Sequence, residues 1–422
     1  MLDLKFIREN PAVVKQAAVN KNLKVDIDEL LKVDAQLLKL RRESEALSAQ
    51  RNTISAQIPK ASAEERPMLV AQSKEVGAKL TEMAEIIRPM EEQLQLMMYQ
   101  TPTIPAPEVP VGKSEADNVV VKTWGEKPKF DFKPLDHVEL MEKHAWADFK
   151  RVPQVSGNRT VGLKGDMVKM EMALWQYVMD ILSAREFVPI SVPALANEQA
   201  FFGTGHFPFD RESVYEMPKD KLFLSGTAEV VLNSLHAGES LQESDLPICY
   251  AGFSPCFRRE AGSAGKDVRG VIRVHQFYKV EQYIMCRNDV EESNRWHKVL
   301  FKNTEDILQG LEIPYQVVEC CTGDMGAGKY RMNDFECWFP SESRYRETHS
   351  CSTLLDWQAR RTNLRYRDSK TGKMEYAHTL NNTGIATPRI LVALLENHQQ
   401  ADWRVKIPQA LRPYMGGKEF LG

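Results

Sequence analysis

Apolar residues near the amino end of the chain recur at alternating steps of three and four, which is the spacing of a coiled-coil seam. The first run, interrupted by the polar Ser44 and Arg51, consists of Leu30, Val33, Leu37, Leu40, Leu47, Ile54 and Ile58. The second run, interrupted by Ser73, consists of Leu69, Val76, Leu80, Met83, Ile87, Met90, Leu94 and Met97. The turn-like stretch 59–62 joins them, so the pattern predicts two long helices that fold back antiparallel.

Pro89 lies inside the second run. Proline removes a backbone donor and clashes with the preceding turn, at a cost of roughly 3 kcal/mol in an ideal helix, so we expect a kink or an early stop there. The hairpin by itself is also typical of a dimerisation element. Basic and acidic residues roughly balance along it, so charge does not decide between dimerisation and binding of a partner.

The helical pattern ends at Gln100, where a proline-rich stretch, 101–107, is followed by polar residues. Such a composition cannot sustain a helix. We therefore predict an amino-terminal helical arm over 1–105, a linker over 106–134 and a second domain over 135–422.

Beyond the predicted linker, helical stretches alternate with short β-like runs. A helix is expected over 168–182, and strands are expected over 221–225, 253–260, 272–283 and 315–320. This order predicts an α+β domain built on a largely antiparallel sheet.

Composition narrows the class of protein. A formal net charge of −3 over 422 residues argues against wholesale electrostatic capture of a polyanion, so any contact with RNA would use local patches. Seven cysteines without a C-x-x-C pair predict neither a disulfide framework nor a zinc site. The amino terminus lacks the apolar core of a signal peptide, and no apolar run reaches membrane-spanning length, so we expect a cytoplasmic protein.

Candidate chemistry is concentrated in a predicted β-hairpin whose loop, 261–267, is rich in small and charged residues. Strand period places Arg258 and Glu260 on one face of the first strand. The same period places on one face of the second strand Arg273, His275, Phe277, Lys279 and Glu281. Charges alone would fit a solvated face with cross-strand ion pairs. An aromatic ring among basic residues instead favours a purine site, with guanidinium groups available for phosphate.

The hairpin carries a family resemblance. Residues 257–260, the loop and residues 273–277 resemble motif 2 of the class II aminoacyl-tRNA synthetases, in the form typical of the seryl-tRNA synthetase family. The resemblance implies that Arg258 holds the ATP α-phosphate and the serine carboxylate, that Glu260 binds the adenine amino group and that Phe277 stacks on adenine. It further implies that ATP is contacted by Arg259, Arg273 and the backbone of Val274.

A short segment before the hairpin, Thr227-Ala228-Glu229, fits a helix amino terminus capped by Ser225 or Thr227. At this distance from motif 2 it also resembles the Thr-x-Glu serine-binding element of the family. Glu281 matches the acid that faces the bound amino acid. The serine-binding residues implied by the resemblance are Thr227, Ala228, Glu229, Arg258, Glu281, Asn381 and Thr383.

Two segments farther along resemble other family motifs. Residues 346–352 and 356–361 are similar to Glu-Ile-x-Ser-Cys-Ser and Phe-Gln-Ala-Arg-Arg, which implies Glu347 and Ser350 as ligands of Mg²⁺, a cation that prefers oxygen ligands. Thr348 and His349 fall within the implied ATP-binding set, although His349 also fits a structural histidine. Residues 380–389 resemble motif 3 and imply Arg389 on the γ-phosphate. The implied catalytic residues are Arg258, Glu347 and Arg389.

The segment Gly323–Lys329 has the glycine and lysine spacing of a nucleotide-binding P-loop, but other features argue against a P-loop. Tyr330 stands where a P-loop needs Ser or Thr, and no long helix is predicted to follow. The segment instead resembles the Cys-x-Gly-Asp-Met loop of the family.

The resemblance extends over nearly the whole chain. It implies activation of L-serine with ATP, followed by transfer of serine to serine tRNA, and also to selenocysteine tRNA where an organism has that pathway. It further implies a homodimer, with Pro193 as the motif 1 proline at its interface, and an arm that binds tRNA. Two alternatives remain: a ligase that loads an amino acid onto a carrier protein, which the long arm disfavours, and an inactive tRNA-binding paralogue, which the retained motif residues disfavour.

Overall fold

The structure is a computed structural model that describes residues 1–261, 265, 267 and 269–422. The chain forms two compact units. One contains residues 2–19 and 23–101, and the other contains residues 1, 20–22 and 102–422. Among the helices of the described ranges, none combines the length and the apolar character needed to cross a bilayer.

The smaller unit is helical. Its helices are α1 (Leu4–Glu9), α2 (Pro11–Asn20), α3 (Ile27–Gln57) and α4 (Arg66–Tyr99). The Asp26 side chain caps α3 by accepting a hydrogen bond from the backbone N–H of Glu29 at 2.9 Å. The buried residues along the two long helices include seam positions from both runs: Leu30, Val33, Leu37, Ile54, Val76 and Leu94.

Helices α3 and α4 run antiparallel, as predicted. Arg41 is paired with Glu91, and Arg51 lies against Gly77, near the turn. The expected early stop at Pro89 is wrong, because α4 continues to Tyr99. Pro89 is exposed and buried residues follow it, so packing of the last turns offsets the local cost of the proline.

The larger unit is built around an eight-stranded sheet of order β1-β11-β12-β13-β16-β10-β9-β4. Only the pairing of β4 with β9 is parallel among the described strands of this sheet. The strands of the unit are β1 (Val119–Trp124), β2 (Ala147–Asp148), β3 (Gly162–Leu163), β4 (Val188–Ser191), β5 (Leu195–Asn197), β6 (Tyr215–Met217), β7 (Leu222–Leu224), β8 (Ser240–Gln242), β9 (Ile248–Phe257), β10 (Gln276–Cys286), β11 (Tyr315–Glu319), β12 (Arg331–Phe339), β13 (Arg344–Leu355), β14 (Arg365–Arg367), β15 (Met374–Tyr376), β16 (His378–Thr387), β17 (Val405–Lys406) and β18 (Phe420–Leu421).

Helices cover the sheet and enclose the main core. They are α5 (His137–Lys143), α6 (Val152–Ser156), α7 (Asp166–Ser183), α8 (Glu198–Thr204), α9 (Glu229–Ser234), α10 (Val290–Gly310), α11 (Ala359–Thr362) and α12 (Arg389–His398). Alternate residues of β10 point to opposite faces. Val280 and Ile284 join the core formed with α7, α10 and α12, whereas Tyr283 and Met285 join a second cluster on the opposite face. This second face, called the site face below, carries the candidate chemistry.

The α+β class is confirmed, and several elements match their predicted positions. Helix α7 spans the predicted 168–182, and β7 and β11 occupy the predicted runs 221–225 and 315–320. Strand β12 directly follows Tyr330, which excludes the helix that a P-loop would require.

The segment predicted as a linker, 106–134, contributes to the sheet. Within it, β1 pairs antiparallel with β11 at the edge, where Trp124 lies opposite Tyr315. The preceding proline-rich stretch also binds the rest of the unit, because the Thr103 and Ala106 N–H groups donate to carbonyl oxygens of Ala327 and Tyr330, each at 2.9 Å.

Candidate active site

The candidate site is a cavity on the site face, with an empty volume of about 530 Å³. Strands β10, β13 and β16 supply its walls, together with the segments that follow β9 and precede β10 and the first residue of α12. The lining residues are Arg258, Glu260, Ile272, Arg273, Val274, Phe277, Lys279, Glu347, Thr348, Thr383, Ala386, Thr387, Pro388 and Arg389.

The residues of the predicted purine wall line the cavity, but the two strands of the hairpin occupy different positions from those expected. Strand β9 ends at Phe257 and β10 begins at Gln276, so Arg258 and Glu260 lie beyond the strand and the period-two argument for their shared face is wrong. Glu260 adopts a left-handed backbone conformation with φ of +54°. Tertiary contacts bring these side chains together instead. Residues 262–264 and 266 of the predicted loop, and residue 268 after it, lie outside the described residues.

Arg258, Arg273, Glu260 and Phe277 all line the cavity. The Arg258 guanidinium carbon lies 5.3 Å from the ring centroid of Phe277. The Nη1 of Arg273 donates to Oε2 of Glu260 at 2.7 Å. A flat aromatic surface, a fixed carboxylate and two guanidinium groups can together accommodate a purine and its phosphates.

Arg389 also lines the cavity. It is the first residue of α12, and its Nη1 donates to the backbone oxygen of Glu347 at 2.9 Å. Its Nε donates to the backbone oxygen of Ile272 at 3.3 Å. These contacts hold a further cation at the cavity, next to Glu347.

A buried ion pair closes the inner end of the cavity. Lys279 is 6% exposed and Glu281 is 3% exposed; their charged ends are directly paired, and Lys279 Nζ also donates to Thr227 Oγ1 at 2.7 Å. Burial raises the pKa of Glu281, and Lys279 opposes that effect. We predicted no role for Lys279 from the sequence, although strand period already placed it between Phe277 and Glu281.

The remaining serine-site residues lie behind this inner end. Oε1 of Glu229 accepts hydrogen bonds from Asn381 Nδ2 and Gln358 Nε2, both at 2.7 Å. Thr227 Oγ1 accepts a hydrogen bond from the Glu229 N–H at 3.2 Å, but the N-cap residue of α9 is Ala228, so the prediction of Ser225 or Thr227 as the helix cap is wrong. Ala228 is 1% exposed and packs in the apolar cluster on the site face that also contains Tyr283. The structure thus groups these residues around Glu229 and Glu281, and only Thr383 of the group touches the cavity.

The two predicted metal ligands occupy one strand. Ser350 lies opposite Asp334, whereas Glu347 lies opposite Glu336, because a register shift inserts Thr348 as an extra residue in β13. Residues three apart on a regular strand point to opposite faces, and this irregularity lets Glu347 share the site face with Ser350.

The residues around Ser350 fit a hard cation. Asp334 is 7% exposed, it hydrogen bonds with Ser350, and its Oδ1 has no hydrogen-bond partner. Burial, reinforced by Glu347, raises the pKa of Asp334 to about 8. An oxygen-rich donor set with one buried, unpartnered oxygen is compatible with Mg²⁺.

Three predicted ATP-binding or metal residues do not line the cavity. Ser350 is turned toward Asp334, and the Arg259 N–H donates to the backbone oxygen of Ser213. His349 is fully buried, where its Nε2–H donates to the Gly384 carbonyl at 3.1 Å and burial lowers its pKa to about 4. These contacts agree with the structural interpretation of His349.

Comparisons with known proteins identify the family of the chain. Residues 212–398 match the sequence model of the tRNA synthetase class II core domain (G, H, P, S and T), and residues 1–105 match that of the seryl-tRNA synthetase N-terminal domain. The serine–tRNA ligase of Deinococcus radiodurans is 56% identical, with 100% of this chain and 99% of the relative covered.

Solved structures give the same result. The crystal structure of seryl-tRNA synthetase from Pyrococcus horikoshii complexed with ATP has a TM-score of 0.90 and 38% identity, and it covers 100% of this chain and 99% of its own. The cytoplasmic serine–tRNA ligase from Naegleria fowleri in complex with AMP has a TM-score of 0.86 and 29% identity, with 100% and 98% covered. The chain therefore belongs to the seryl-tRNA synthetase family of class II aminoacyl-tRNA synthetases.

Proposed function

We propose that this chain joins L-serine to serine tRNA in two steps, first forming seryl-adenylate and pyrophosphate from serine and ATP and then transferring serine to the 3′ end of the tRNA. The observation that carries this proposal is one cavity with a purine wall at its outer side and a buried Lys279–Glu281 pair at its inner end. Such a cavity can hold a nucleotide and a small zwitterion end to end.

ATP occupies the outer part of the cavity in this proposal. Adenine stacks on Phe277, its amino group donates to Glu260, and the backbone of Val274 supplies a further contact. Arg258 contacts the α-phosphate, and Arg389 contacts the γ-phosphate. Guanidinium groups suit these roles because they bind phosphate oxygens with two parallel hydrogen bonds.

Serine occupies the inner end. Its ammonium group faces Glu229, its carboxylate faces Arg258, and its hydroxyl faces Glu281 and Thr383. Alanine would leave the buried polar groups around Glu281 without a partner, which strongly penalises that competitor. Threonine would be excluded by its additional methyl group.

Catalysis relies on positioning and charge neutralisation more than on proton transfer. A serine carboxylate oxygen attacks the α-phosphorus, and pyrophosphate leaves with the electrons of the broken bond. Arg258 and Arg389 stabilise the charge that builds up on the phosphates. Mg²⁺ held by Glu347 and Ser350 would supply further neutralisation of the phosphate charge when bound. In the second step a terminal adenosine hydroxyl attacks the seryl carbonyl carbon and AMP leaves.

The helical hairpin of α3 and α4 is the proposed binding element for serine tRNA. We also propose a cytoplasmic homodimer. The match of residues 1–105 to the amino-terminal domain of seryl-tRNA synthetases supports the role of the hairpin. It also weighs against a ligase for carrier proteins.

Serine-dependent ATP–pyrophosphate exchange, followed by aminoacylation of total tRNA, tests the proposal in one series. The proposal expects exchange with serine and ATP alone, and charging when tRNA is added. Exchange without charging of any tRNA would favour the carrier-protein alternative. Binding of tRNA without exchange would favour the inactive paralogue.

A further inference from the structure

Gln358 is buried behind the serine end of the cavity. It belongs to the 356–361 segment that resembles Phe-Gln-Ala-Arg-Arg, but neither that resemblance nor the proposed mechanism gives it a role. It immediately precedes α11 and is 0% exposed. Its backbone oxygen accepts from the N–H groups of Arg361 and Thr362, at 2.9 and 3.0 Å, which fixes the start of the side chain.

The Gln358 amide has partners on both sides. Its Nε2 donates to Glu229 Oε1 at 2.7 Å and to the Thr204 carbonyl at 3.3 Å. Its Oε1 accepts from Thr379 Oγ1 at 2.8 Å and from the Tyr283 hydroxyl at 3.1 Å. A reversed amide would place its oxygen against a carboxylate and a carbonyl, so these neighbours permit one orientation.

We propose that Gln358 is a positioning residue for Glu229, which it orients to receive the α-ammonium group of the amino-acid substrate. This inference rests on the proposed function and deepens its account of the serine site. Among the described residues, the side chains that donate to the Glu229 carboxylate are those of Gln358 and Asn381, and both donate to Oε1. Oε2 is therefore the oxygen that meets the substrate, and the amide of Gln358 sets the plane in which it lies.

The charge of Glu229 explains why an amide occupies position 358. A buried carboxylate needs hydrogen-bond donors, and a neutral donor satisfies it without adding a cation that would compete with the substrate ammonium. Lys279 supplies the nearby cation for Glu281 instead. The two buried acids therefore differ in function. The charge of Glu281 is compensated by Lys279, whereas the charge of Glu229 is left for the substrate ammonium.

The test is the steady-state kinetics of ATP–pyrophosphate exchange in the full chain with Gln358→Met, which keeps the side-chain length and removes the amide. We expect the KM for serine to rise by about 10- to 100-fold, the effect of losing a hydrogen bond to a charged group, with kcat and the KM for ATP within about threefold of the parent values. Gln399→Met is the matched control, because Gln399 is also buried and fully hydrogen bonded, to Leu135 and Glu396, away from the cavity. It should leave the KM for serine unchanged.

A second readout separates positioning from a general structural role. 3-Hydroxypropionate lacks the ammonium group of serine, so its inhibition constant should be the same in the parent and in Gln358→Met. In a Glu229→Gln background, Gln358→Met should raise the KM for serine little further, because the carboxylate through which Gln358 acts on the serine ammonium is already absent. Thr379→Val removes one donor to Gln358 and should raise that KM by about threefold, which keeps the proposal testable if Gln358→Met does not fold.

The outcomes are distinct. A folded Gln358→Met protein with an unchanged KM for serine, or with an equal loss of 3-hydroxypropionate binding, would overturn the inference. A parent protein without serine-dependent exchange would overturn the proposed function itself.

Discussion

Polar groups have different environments in the helical hairpin of α3 and α4 and in the larger unit, called the sheet unit below. In the hairpin, the Arg41–Glu91 pair is about half exposed on both sides, and burial is confined to a narrow apolar seam. In the sheet unit, Glu229, Lys279 and Glu281 are all less than one-tenth exposed, and their charges are met by specific partners. The first arrangement tolerates small displacements, whereas the second fails when one partner is lost. Stability and recognition therefore depend on different kinds of contact in the two units.

The largest expected effect comes from the sheet unit. Arg258→Ala should reduce ATP–pyrophosphate exchange by at least about 1,000-fold, because it removes the charge-assisted contact that we propose with the α-phosphate. Arg295→Ala is the control, since Arg295 is 63% exposed on α10 and lies outside the cavity. Near-normal exchange in Arg258→Ala would contradict the assignment of the nucleotide site.

Removal of the helical hairpin should affect charging of serine tRNA but not ATP–pyrophosphate exchange. Replacing residues 30–97 with a short glycine–serine linker should leave exchange within about twofold, because the residues of the cavity belong to the other unit. Charging of serine tRNA should fall by at least about 100-fold, since neutralised phosphate contacts carry much of the affinity for RNA. Charging at the parent rate would show that the hairpin has another role.

Acid should destabilise the sheet unit first. Burial lowers the pKa of His297, His349 and His378 to about 4, against an ordinary value near 6.5. Between these values the unfolded state binds more protons, so the free energy of unfolding falls as pH drops from about 6.5 to 4, by on the order of 3 kcal/mol for each fully buried imidazole.

All nine histidines lie outside residues 2–101, so the hairpin lacks this source of acid sensitivity. Thermal unfolding followed by circular dichroism at pH 7.5 and 4.5 measures the effect, and His297→Gln should reduce the pH dependence. Equal sensitivity in His297→Gln and the parent would exclude His297 as a cause.

The smallest effect belongs to the hairpin surface. Arg41→Ala should lower the free energy of unfolding by no more than about 1 kcal/mol, because an exposed ion pair gains little over water. Chemical denaturation at low and high salt measures it, and high salt should shrink the difference further. A larger loss would mean that the pair is part of the packing of the hairpin.

Much of the site was predictable because its residues belong to short motifs with a fixed order along the chain. Phe277, Arg258, Glu347 and Arg389 were named from such segments, and all four line the cavity. The part that could not be predicted depends on contacts between segments far apart in sequence. Gln358 meets Glu229 across 129 positions, and Lys279 acquires its importance from burial against Thr227 and Glu281.

The sequence by itself determined the helical hairpin, the α+β class and the family, because periodicity and local motifs act over a few residues and survive without tertiary context. Only the tertiary structure decided the ends of β9 and β10, the continuation of α4 past Pro89 and the common face of Glu347 and Ser350. Each of these depends on packing or on strand register. One inserted residue in β13 changes which side chains share a face, and no spacing in the chain reports where that residue lies.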